Sequence, residues 1–350
     1  MLDKLKETDN YNKLQELKEE FSRYFISKNY CPVAPLPIIS KEDPTVQFIG
    51  SSTNVFKKQL LNEDNELSFT VQPCFRARNI NELLDDNSTF KWGSLFTMFG
   101  TIGGPSTYSK QSNEIFSFLT DKIGIPIKQL CLQVHNDDSY LLEPWKNKKD
   151  LNFEIGQQPE SYYRWKYGEE GITGKGVSLA MISHRDEKPY ELGNIIEISK
   201  NNKVIAIEMG FGLECLIARL NEKAHTIEVN ALADFFNLEG NNRKKYADAI
   251  MVSMVLIQNG ITPSARGQGR VLREYTKGIV YAIIKQNISK EKIADTLLKV
   301  ELAIAGKNIG LASKLYNEIL DMYENITAIC KDISSQTSEE IIKLLNKKDI

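Results

Sequence analysis

Residues 203–220 read KVIAIEMGFGLECLIARL. Within this stretch the distribution of apolar residues changes from one typical of a β-strand to one typical of an α-helix. Residues 203–209 form a short apolar run of the kind that enters a sheet as a strand. The second half repeats leucine at helical spacing, which predicts one apolar stripe on a helix. Gly210 and Gly212 lie between the halves, where a missing Cβ permits either a tight turn or close approach of the backbone to a ligand. The stretch therefore predicts a strand, a turn and a helix.

Upstream of that stretch, alternating segments predict more strands and periodic segments predict helices. Residues 68–72 and 130–135 alternate apolar and polar side chains, as strands with one buried face do. The remaining predictions are a strand at 177–182 and helices at 9–29, 111–122 and 136–146. This mixture predicts an α+β fold, with an antiparallel-leaning sheet flanked by helices.

Downstream, helical periodicity continues to the end of the sequence. We expect helices over 266–284 and 339–347, and two longer helices within 290–330. The sequence therefore predicts two domains, an α+β domain at residues 1–235 and an all-helical domain at residues 236–350.

The composition is that of an ordinary soluble globular protein. Of 350 residues, 41% are hydrophobic and 26% are charged, and the formal net charge is −2. No apolar run approaches the roughly 18 residues that cross a membrane, and the N-terminal residues lack the apolar stretch of a secretory signal. Five scattered cysteines without a CxxC pair, and only three histidines, argue against a disulfide framework and a metal centre. We expect a cytoplasmic protein that binds no structural metal.

Several motifs follow one another along the chain. They are DPTVQFIGSSTNVFK at 43–57, QPCFR at 72–76, LFTMFG at 95–100, IEMGFGLE at 207–214 and PSARGQGRVLR at 263–273. In this order and spacing they resemble the alanyl-tRNA synthetase family, a class II family, from about residue 20 to about residue 285. Each motif alone is weak, whereas five in order are strong grounds for homology and weaker grounds for retained activity.

The resemblance implies a class II synthetase-type catalytic domain followed by a helical, tRNA-recognition-like domain, in a shortened and diverged member without the family's editing domain. It also implies a nucleotide-binding ligase of protein biosynthesis, which joins an amino acid to ATP as an aminoacyl adenylate. Mg²⁺ would accompany the ATP. The acceptor would be tRNA, or a carrier protein or small molecule if this member has been repurposed.

Two charged side chains carry the chemistry that the resemblance implies. Arg76 stands where the family places the arginine on the α-phosphate, and a guanidinium offers paired donors to oxygens that gain charge. Glu208 stands where the family has an aspartate that holds the substrate's ammonium group. The alternatives are that Arg76 is an ordinary surface or ion-pair arginine and that Glu208 caps the following helix.

Further positions match the family's substrate pocket. Asn194 and Ile196 fall where the family lines the amino-acid pocket, and isoleucine in place of valine narrows it. Met98 falls where the family's methionine packs against adenine, although core packing is the more common fate of a methionine. Lesser candidates on the first motif are Asn54 and Lys57.

Several positions depart from the family. The third motif ends in Cys215, where the family has an arginine on the ATP γ-phosphate, and Arg219 on the same helix face is the candidate substitute. Either Glu154 replaces the tryptophan that lines the alanine pocket or that position is deleted, and Thr97 replaces a glutamate. A pocket changed at several walls predicts a substrate other than alanine, or none.

A basic stripe marks the predicted helix at 266–284. Its members recur at helical spacing and are Arg266, Arg270, Arg273 and Lys277. In the family this helix lies near the tRNA acceptor stem, and cations on one face can follow a phosphate backbone without reading its sequence. The family's base-reading asparagine is an alanine here. The alternative is a solvated helix face.

Two other functions are open on the sequence. A catalytically silent member that binds RNA or protein as a regulatory module is favoured by Cys215 and the missing tryptophan, and opposed by Arg76 and Glu208. An amino-acid sensor without transfer chemistry is the weaker option.

Overall fold

The computed structural model describes residues 9–39, 46–230, 240–330 and 332–347. Two compact units account for the chain: Met1–Cys74 with Phe96–Thr226, and Phe75–Leu95 with Ile227–Ile350. Motif residues 43–45 and the predicted domain boundary at residue 235 lie outside the described residues. The assignment of a catalytic domain and a tRNA-recognition domain stays a prediction.

The first unit is built on one sheet of nine strands within the described residues. The strands are β1 Cys31–Pro32, β2 Ser68–Phe75, β3 Leu95–Gly103, β4 Leu130–Val134, β5 Asn152–Ile155, β6 Arg164–Lys166, β7 Ile172–Ile182, β8 Pro189–Lys200 and β9 Lys203–Gly212. Their order is β1-β2-β3-β9-β8-β7-β4-β5, and β6 pairs with β7. The pairs β1–β2 and β4–β5 are parallel, while β9 and β7 are antiparallel to each of their neighbours. The predicted antiparallel-leaning sheet is confirmed.

Helices of the first unit flank this sheet. They are α1 Asn10–Ser27, α2 Lys57–Leu61, α3 Tyr108–Ser117 and α4 Leu213–Leu220. The predictions at 9–29 and 111–122 are confirmed, and α3 runs on as a π-helical turn to Ile123. The segment predicted at 136–146 is a 3₁₀ helix, because Asp138 leaves helical geometry and Pro144 lacks the amide proton of an α-helix.

One face of the sheet is covered by an aromatic cluster on α1. Phe21 and Phe25 stack with ring centroids 4.5 Å apart, and Phe25 lies 5.3 Å from Phe99 of β3. Phe118 contacts Phe21 at 5.1 Å from the π-helical turn. Each of these rings is no more than 2% exposed, and burial of one such side chain is worth about 1.5–3 kcal/mol. Helix packing therefore occupies this face and leaves the opposite face of the strands for other side chains.

Helices make up the described part of the second unit after residue 239. They are α5 Gly240–Gln258, α6 Gly267–Gln286, α7 Lys290–Ala305, α8 Leu311–Ile329 and α9 Ser338–Leu345. The helices predicted at 266–284, within 290–330 and at 339–347 are confirmed. In the part of the chain that the structure describes, no helix is both long and apolar enough to span a bilayer.

The turn between α7 and α8 is fixed by a buried carboxylate. Glu301 is fully buried and accepts backbone N–H bonds from Ile309 at 2.6 Å, Leu311 at 2.9 Å and Ala312 at 3.0 Å. An anion at this helix N-terminus satisfies amides that have no partner within the helix. The two helices are thereby held as a pair.

Candidate active site

Glu208 lies in the middle of β9, on the face opposite the aromatic cluster. Its direct neighbours across the sheet are Ile102 on β3 and Ile196 on β8. Only 3% of the residue is exposed. A buried carboxylate needs hydrogen-bond donors, since a buried charge without hydrogen-bond partners is strongly destabilising.

Three hydroxyl groups donate to the Glu208 carboxylate. Thr53 donates to Oε1 in a short hydrogen bond, and Ser52 approaches the same oxygen at 3.5 Å. Tyr167 donates to Oε2 at 3.0 Å. Burial, and then the neighbouring Glu208 charge, raise the pKa of Tyr167 well above its ordinary value, so this hydroxyl keeps its proton. The carboxylate is therefore held by hydroxyls that can rotate.

The helix-cap alternative for Glu208 is wrong. The N-cap position of α4 is Gly212, which has no side chain to cap that end, and Glu208 lies four residues earlier, inside β9. The acid in the first turn is Glu214, which accepts the backbone N–H of Thr97 at 2.8 and 3.0 Å. Glu208 thus has no role in starting α4, and ammonium binding by Glu208 stays a prediction.

A glycine brings the loop that carries Ser52 and Thr53 onto the sheet. Gly100 of β3 lies opposite Gly210 of β9. A Cβ added at Gly100 would stand 2.3 Å from both Cβ and Oγ of Ser52, whereas one at Gly210 would meet no atom closer than 3.6 Å. The glycine that this site requires for close packing is therefore Gly100, which the sequence motifs did not single out.

Met98 and Asn54 hold the same loop. The backbone N–H of Ser52 donates to Met98 Sδ at 3.4 Å. Asn54 Oδ1 accepts the N–H groups of Ser51 at 3.2 Å and Gly50 at 3.3 Å. Lys57, the other lesser candidate, forms an ion pair with Glu169 at 2.7 Å. Adenine packing by Met98 stays a prediction beside this observed contact.

Asn194 belongs to a row of polar side chains that crosses four strands on the Glu208 face. We call it the polar row, and its members, paired strand to strand, are Asn194 of β8, Ser178 of β7, Gln133 of β4 and Glu154 of β5. Ser178 donates to Asn194 Oδ1 at 2.6 Å, and Gln133 Nε2 donates to Glu154 at 2.7 Å. Glu191 and Tyr162 complete the network beside the row. Asn194 and Glu154 were named from the sequence, whereas Ser178 and Gln133 follow only from the register of the strands.

Ile196 faces the same side but packs into apolar surroundings. It is 5% exposed in a cluster that includes Ile102 and Ile198, with Tyr167 packed against it. A Cβ at Gly174 would come within 2.7 Å of its Cγ2. Its side chain therefore forms part of the floor beside Glu208, and pocket lining by Ile196 stays a prediction.

The Arg219 side chain hydrogen-bonds backbone carbonyls just beyond the C-terminal end of α4. It is 4% exposed, and Nη1 donates to the carbonyls of Lys223 at 2.8 Å and Ala224 at 3.1 Å. Nε donates to the carbonyl of Glu191 at 3.3 Å, and the guanidinium lies 5.1 Å from the centroid of the Tyr190 ring. Arginine at this place satisfies carbonyls beyond the last turn. A phosphate bound by Arg219 would have to displace them, and nucleotide binding by this residue stays a prediction.

Arg76 belongs to the second unit, whereas the other predicted catalytic-site residues lie in the first. Its backbone N–H donates to the carbonyl of Ser94 at 2.9 Å. Ser94 is itself anchored by Asp248 of α5, which accepts its N–H at 2.8 Å and its hydroxyl at 2.6 Å. Asn79 also donates to Asp248 at 3.2 Å. The segment that carries Arg76 is therefore fixed to α5 through a buried carboxylate.

The basic stripe on α6 is shorter than predicted. Arg266 and Arg270 are exposed and Arg273 is half-buried. Lys277 is only 3% exposed, and its ammonium group contacts Glu274 at 3.1 Å and Asn346 at 3.2 Å. The prediction of a four-residue exposed stripe is wrong at Lys277, because α9 places Asn346 against it. RNA binding by the three arginines stays a prediction.

Metal-ligand geometry is absent from the described part of the chain. No group of three or more His, Cys, Asp or Glu side chains there is placed to hold an ion.

Comparison with known proteins adds family information. The family model described as tRNA synthetases class II (A) matches residues 16–184. The alanine–tRNA ligase of Saccharophagus degradans is 25% identical over 77% of this chain and 36% of its own length. That of Endomicrobium trichonymphae is 24% identical over 96% of this chain and 43% of its own length. The chain thus spans about two fifths of the length of these curated relatives.

Similarity to solved structures is weaker. Apo S. aureus histidyl-tRNA synthetase aligns with a TM-score of 0.41 at 10% identity, over 62% of this chain and 71% of that one.

Proposed function

We propose that this chain, which matches a class II tRNA-synthetase family model and resembles alanine–tRNA ligases, activates an amino acid with ATP as an aminoacyl adenylate and transfers the acyl group to tRNA. The observation that carries the proposal is Glu208, a buried carboxylate on the sheet face opposite the aromatic cluster, hydrogen-bonded by hydroxyls that can turn toward a ligand. No comparison supports a carrier protein or a small molecule as acceptor.

Glu208 holds the substrate's α-ammonium group in this proposal. The Ser52, Thr53 and Tyr167 hydroxyls fix the carboxylate while it is empty of substrate, and an ammonium group adds the positive charge that a buried carboxylate favours. The substrate carboxylate is then free to attack the α-phosphorus of ATP. The new bond joins carboxylate oxygen to phosphorus, and the bond to the leaving pyrophosphate breaks.

Arg76 supports the α-phosphate in this step. Its guanidinium offers paired donors to oxygens on which negative charge accumulates during attack. Its backbone N–H donates to the Ser94 carbonyl, and Ser94 in turn donates to Asp248, so the backbone of Arg76 is held in place before ATP arrives and less ordering remains to be done at binding. ATP brings Mg²⁺, which neutralises phosphate charge when bound.

Transfer to tRNA would use α6. The exposed guanidiniums of Arg266 and Arg270 provide two phosphate contacts, and the half-buried Arg273 a third. Such contacts position an acceptor stem without reading its bases. We therefore propose that any specificity for one tRNA arises elsewhere than on this helix.

The test is amino-acid-dependent exchange of radioactive pyrophosphate into ATP, across all common amino acids. We expect exchange with at least one of them, and Arg76→Ala to lower its rate at least about 100-fold, as loss of a transition-state donor does. Arg78→Ala is the matched control, since Arg78 is an exposed arginine of the same segment. Absence of exchange with every amino acid, together with retained RNA binding, would favour the silent regulatory module instead.

A further inference from the structure

The network beside the polar row has more acceptors than donors. The one proton of the Tyr162 hydroxyl faces two acceptors, Gln133 Oε1 at 3.1 Å and Glu191 Oε2 at 3.4 Å. The other oxygen of Glu191 accepts from Asn194 Nδ2 at 2.9 Å. Glu191, Asn194 and Tyr162 are half-buried, and each Glu191 oxygen has one protein donor, so lone pairs of this carboxylate remain open to a donor on a ligand.

The charge of the same network is unbalanced. Both partners of the Glu191 carboxylate among the described residues, Asn194 and Tyr162, are neutral. Ser178 is fully buried and Gln133 is 3% exposed, so the row under this carboxylate is an interior surface and not a solvated one. A carboxylate over such a floor is best stabilised by a cation.

The distance between Glu208 and Asn194 determines how long the side chain of a substrate must be to reach this network when its α-ammonium group is bound at Glu208. Asn194 lies two residues along β8 from Ile196, the direct neighbour of Glu208. Such diagonal neighbours stand about 7–8 Å apart in a sheet. A side chain of lysine or arginine length covers that span from an ammonium group at Glu208, whereas an alanine side chain does not.

The far end of the polar row lies beyond this reach. Glu154 of β5 is three strands further than Asn194, at about 4.8 Å per strand. It also lines an open depression of about 460 Å³ at the sheet edge, together with Lys188 and Pro189. Glu154 therefore serves to orient Gln133, and Glu191 with Asn194 is the pair that meets a substrate.

We infer that the amino acid accepted at the proposed site carries a cationic nitrogen at the end of its side chain, bound by Glu191 and oriented by Asn194. This inference rests on the proposed function, in which Glu208 holds the α-ammonium group. A methyl group at the same place would exclude water from the Glu191 carboxylate without offering it a donor, and a site built to hydrogen-bond its substrate rejects such analogues strongly.

The experiment compares lysine with norleucine and arginine with citrulline, each pair matched in length but not in charge, with alanine as a fifth substrate. In pyrophosphate exchange we expect kcat/KM for one cationic amino acid to exceed that of its neutral partner at least about 100-fold. Glu191→Gln should reduce that preference to within about tenfold. Glu197→Gln is the matched control, because Glu197 lies on the other face of the same strand.

The outcomes separate the inference from the proposed function. Exchange with alanine or another neutral amino acid above both cations overturns the inference and leaves the proposed function standing. Absence of all exchange removes the proposed function, and calorimetry of lysine and arginine then decides the inference alone. Binding that Glu191→Gln abolishes supports it, and no binding by the folded protein overturns it. If Glu191→Gln does not fold by circular dichroism, Asn194→Ala replaces it, with the same expected loss of preference.

Discussion

Glu208 in the first unit and Asp248 in the second are both buried carboxylates, and both accept hydroxyl groups, but only Asp248 is seen to accept a backbone N–H as well. Glu208 receives hydroxyl groups from Thr53 and Tyr167, whose protons rotate about a single bond. Asp248 receives the Ser94 hydroxyl at 2.6 Å and also the Ser94 backbone N–H at 2.8 Å, whose direction is set by the chain. A rotating donor can turn away when a ligand arrives, whereas a backbone donor cannot. The contrast teaches that burial of an acid does not by itself distinguish a binding group from a structural one.

The largest expected effect lies at Asp248. Replacement by alanine leaves the Ser94 amide and the Asn79 side chain buried without their acceptor, so Asp248→Ala should lower the free energy of unfolding by about 3 kcal/mol. Urea denaturation followed by circular dichroism measures this. Asp321→Ala, at an exposed acid on α8, is the control and should change stability by less than about 0.5 kcal/mol. If Asp248→Ala lowered the free energy of unfolding by less than about 1 kcal/mol, Asp248 would not have the structural role that distinguishes it from Glu208.

The next effect is at Glu208, and it should appear in activity more than in stability. Glu208→Gln keeps the shape of the side chain and an acceptor for Tyr167, so the free energy of unfolding should change by about 1 kcal/mol or less. Pyrophosphate exchange should fall about 100-fold, equivalent to about 2.7 kcal/mol, because the charge that holds the ammonium group is gone. Unfolding and exchange are measured on the same preparation. A large loss of stability with unchanged exchange would assign Glu208 a structural role instead.

The smallest effect is a difference in pH dependence. Burial raises the pKa of Asp248 above its ordinary value, so the folded protein binds its proton more tightly than the unfolded chain does. For this group, stability therefore increases as pH falls through the raised pKa of the folded state toward the ordinary aspartate pKa, by at most about 1.4 kcal/mol per pH unit. In Asp248→Asn that contribution should vanish. Denaturation over a series of pH values from neutral down to the ordinary aspartate pKa measures the two slopes, and parallel slopes throughout would contradict the assignment.

The sequence predicted the fold where one periodicity dominated. Strands β2, β4, β7 and β9, and the helices α1 and α6 to α9, follow from alternation or from the helical repeat of apolar side chains. It missed β1, β3, β5, β6 and β8. In β8 both faces carry a mixture of isoleucines, Asn194 and glutamates, and a bulge shifts the register, so no simple alternation is visible.

The candidate site was predictable in part. Glu208, Asn194 and Arg76 were found because they stand within recognisable motifs. Glu191 and Tyr162 were not found, because only pairing across the strands and a 3₁₀ turn bring them beside Asn194. Lys277 was misjudged for the same reason: helical spacing gives the face of α6 but not what a later helix places against that face.

A substitution at Gly100 would disturb the hydrogen bonds to Glu208 although Gly100 itself carries no reacting group. The loop with Ser52 and Thr53 lies against bare backbone there, so even one methyl group would act as a wedge between loop and sheet. Lifting the loop would admit water to Glu208 and withdraw two of its hydroxyls at once. A lineage could thus silence this site by a change as small as glycine to alanine, with Arg76 and Glu208 themselves intact.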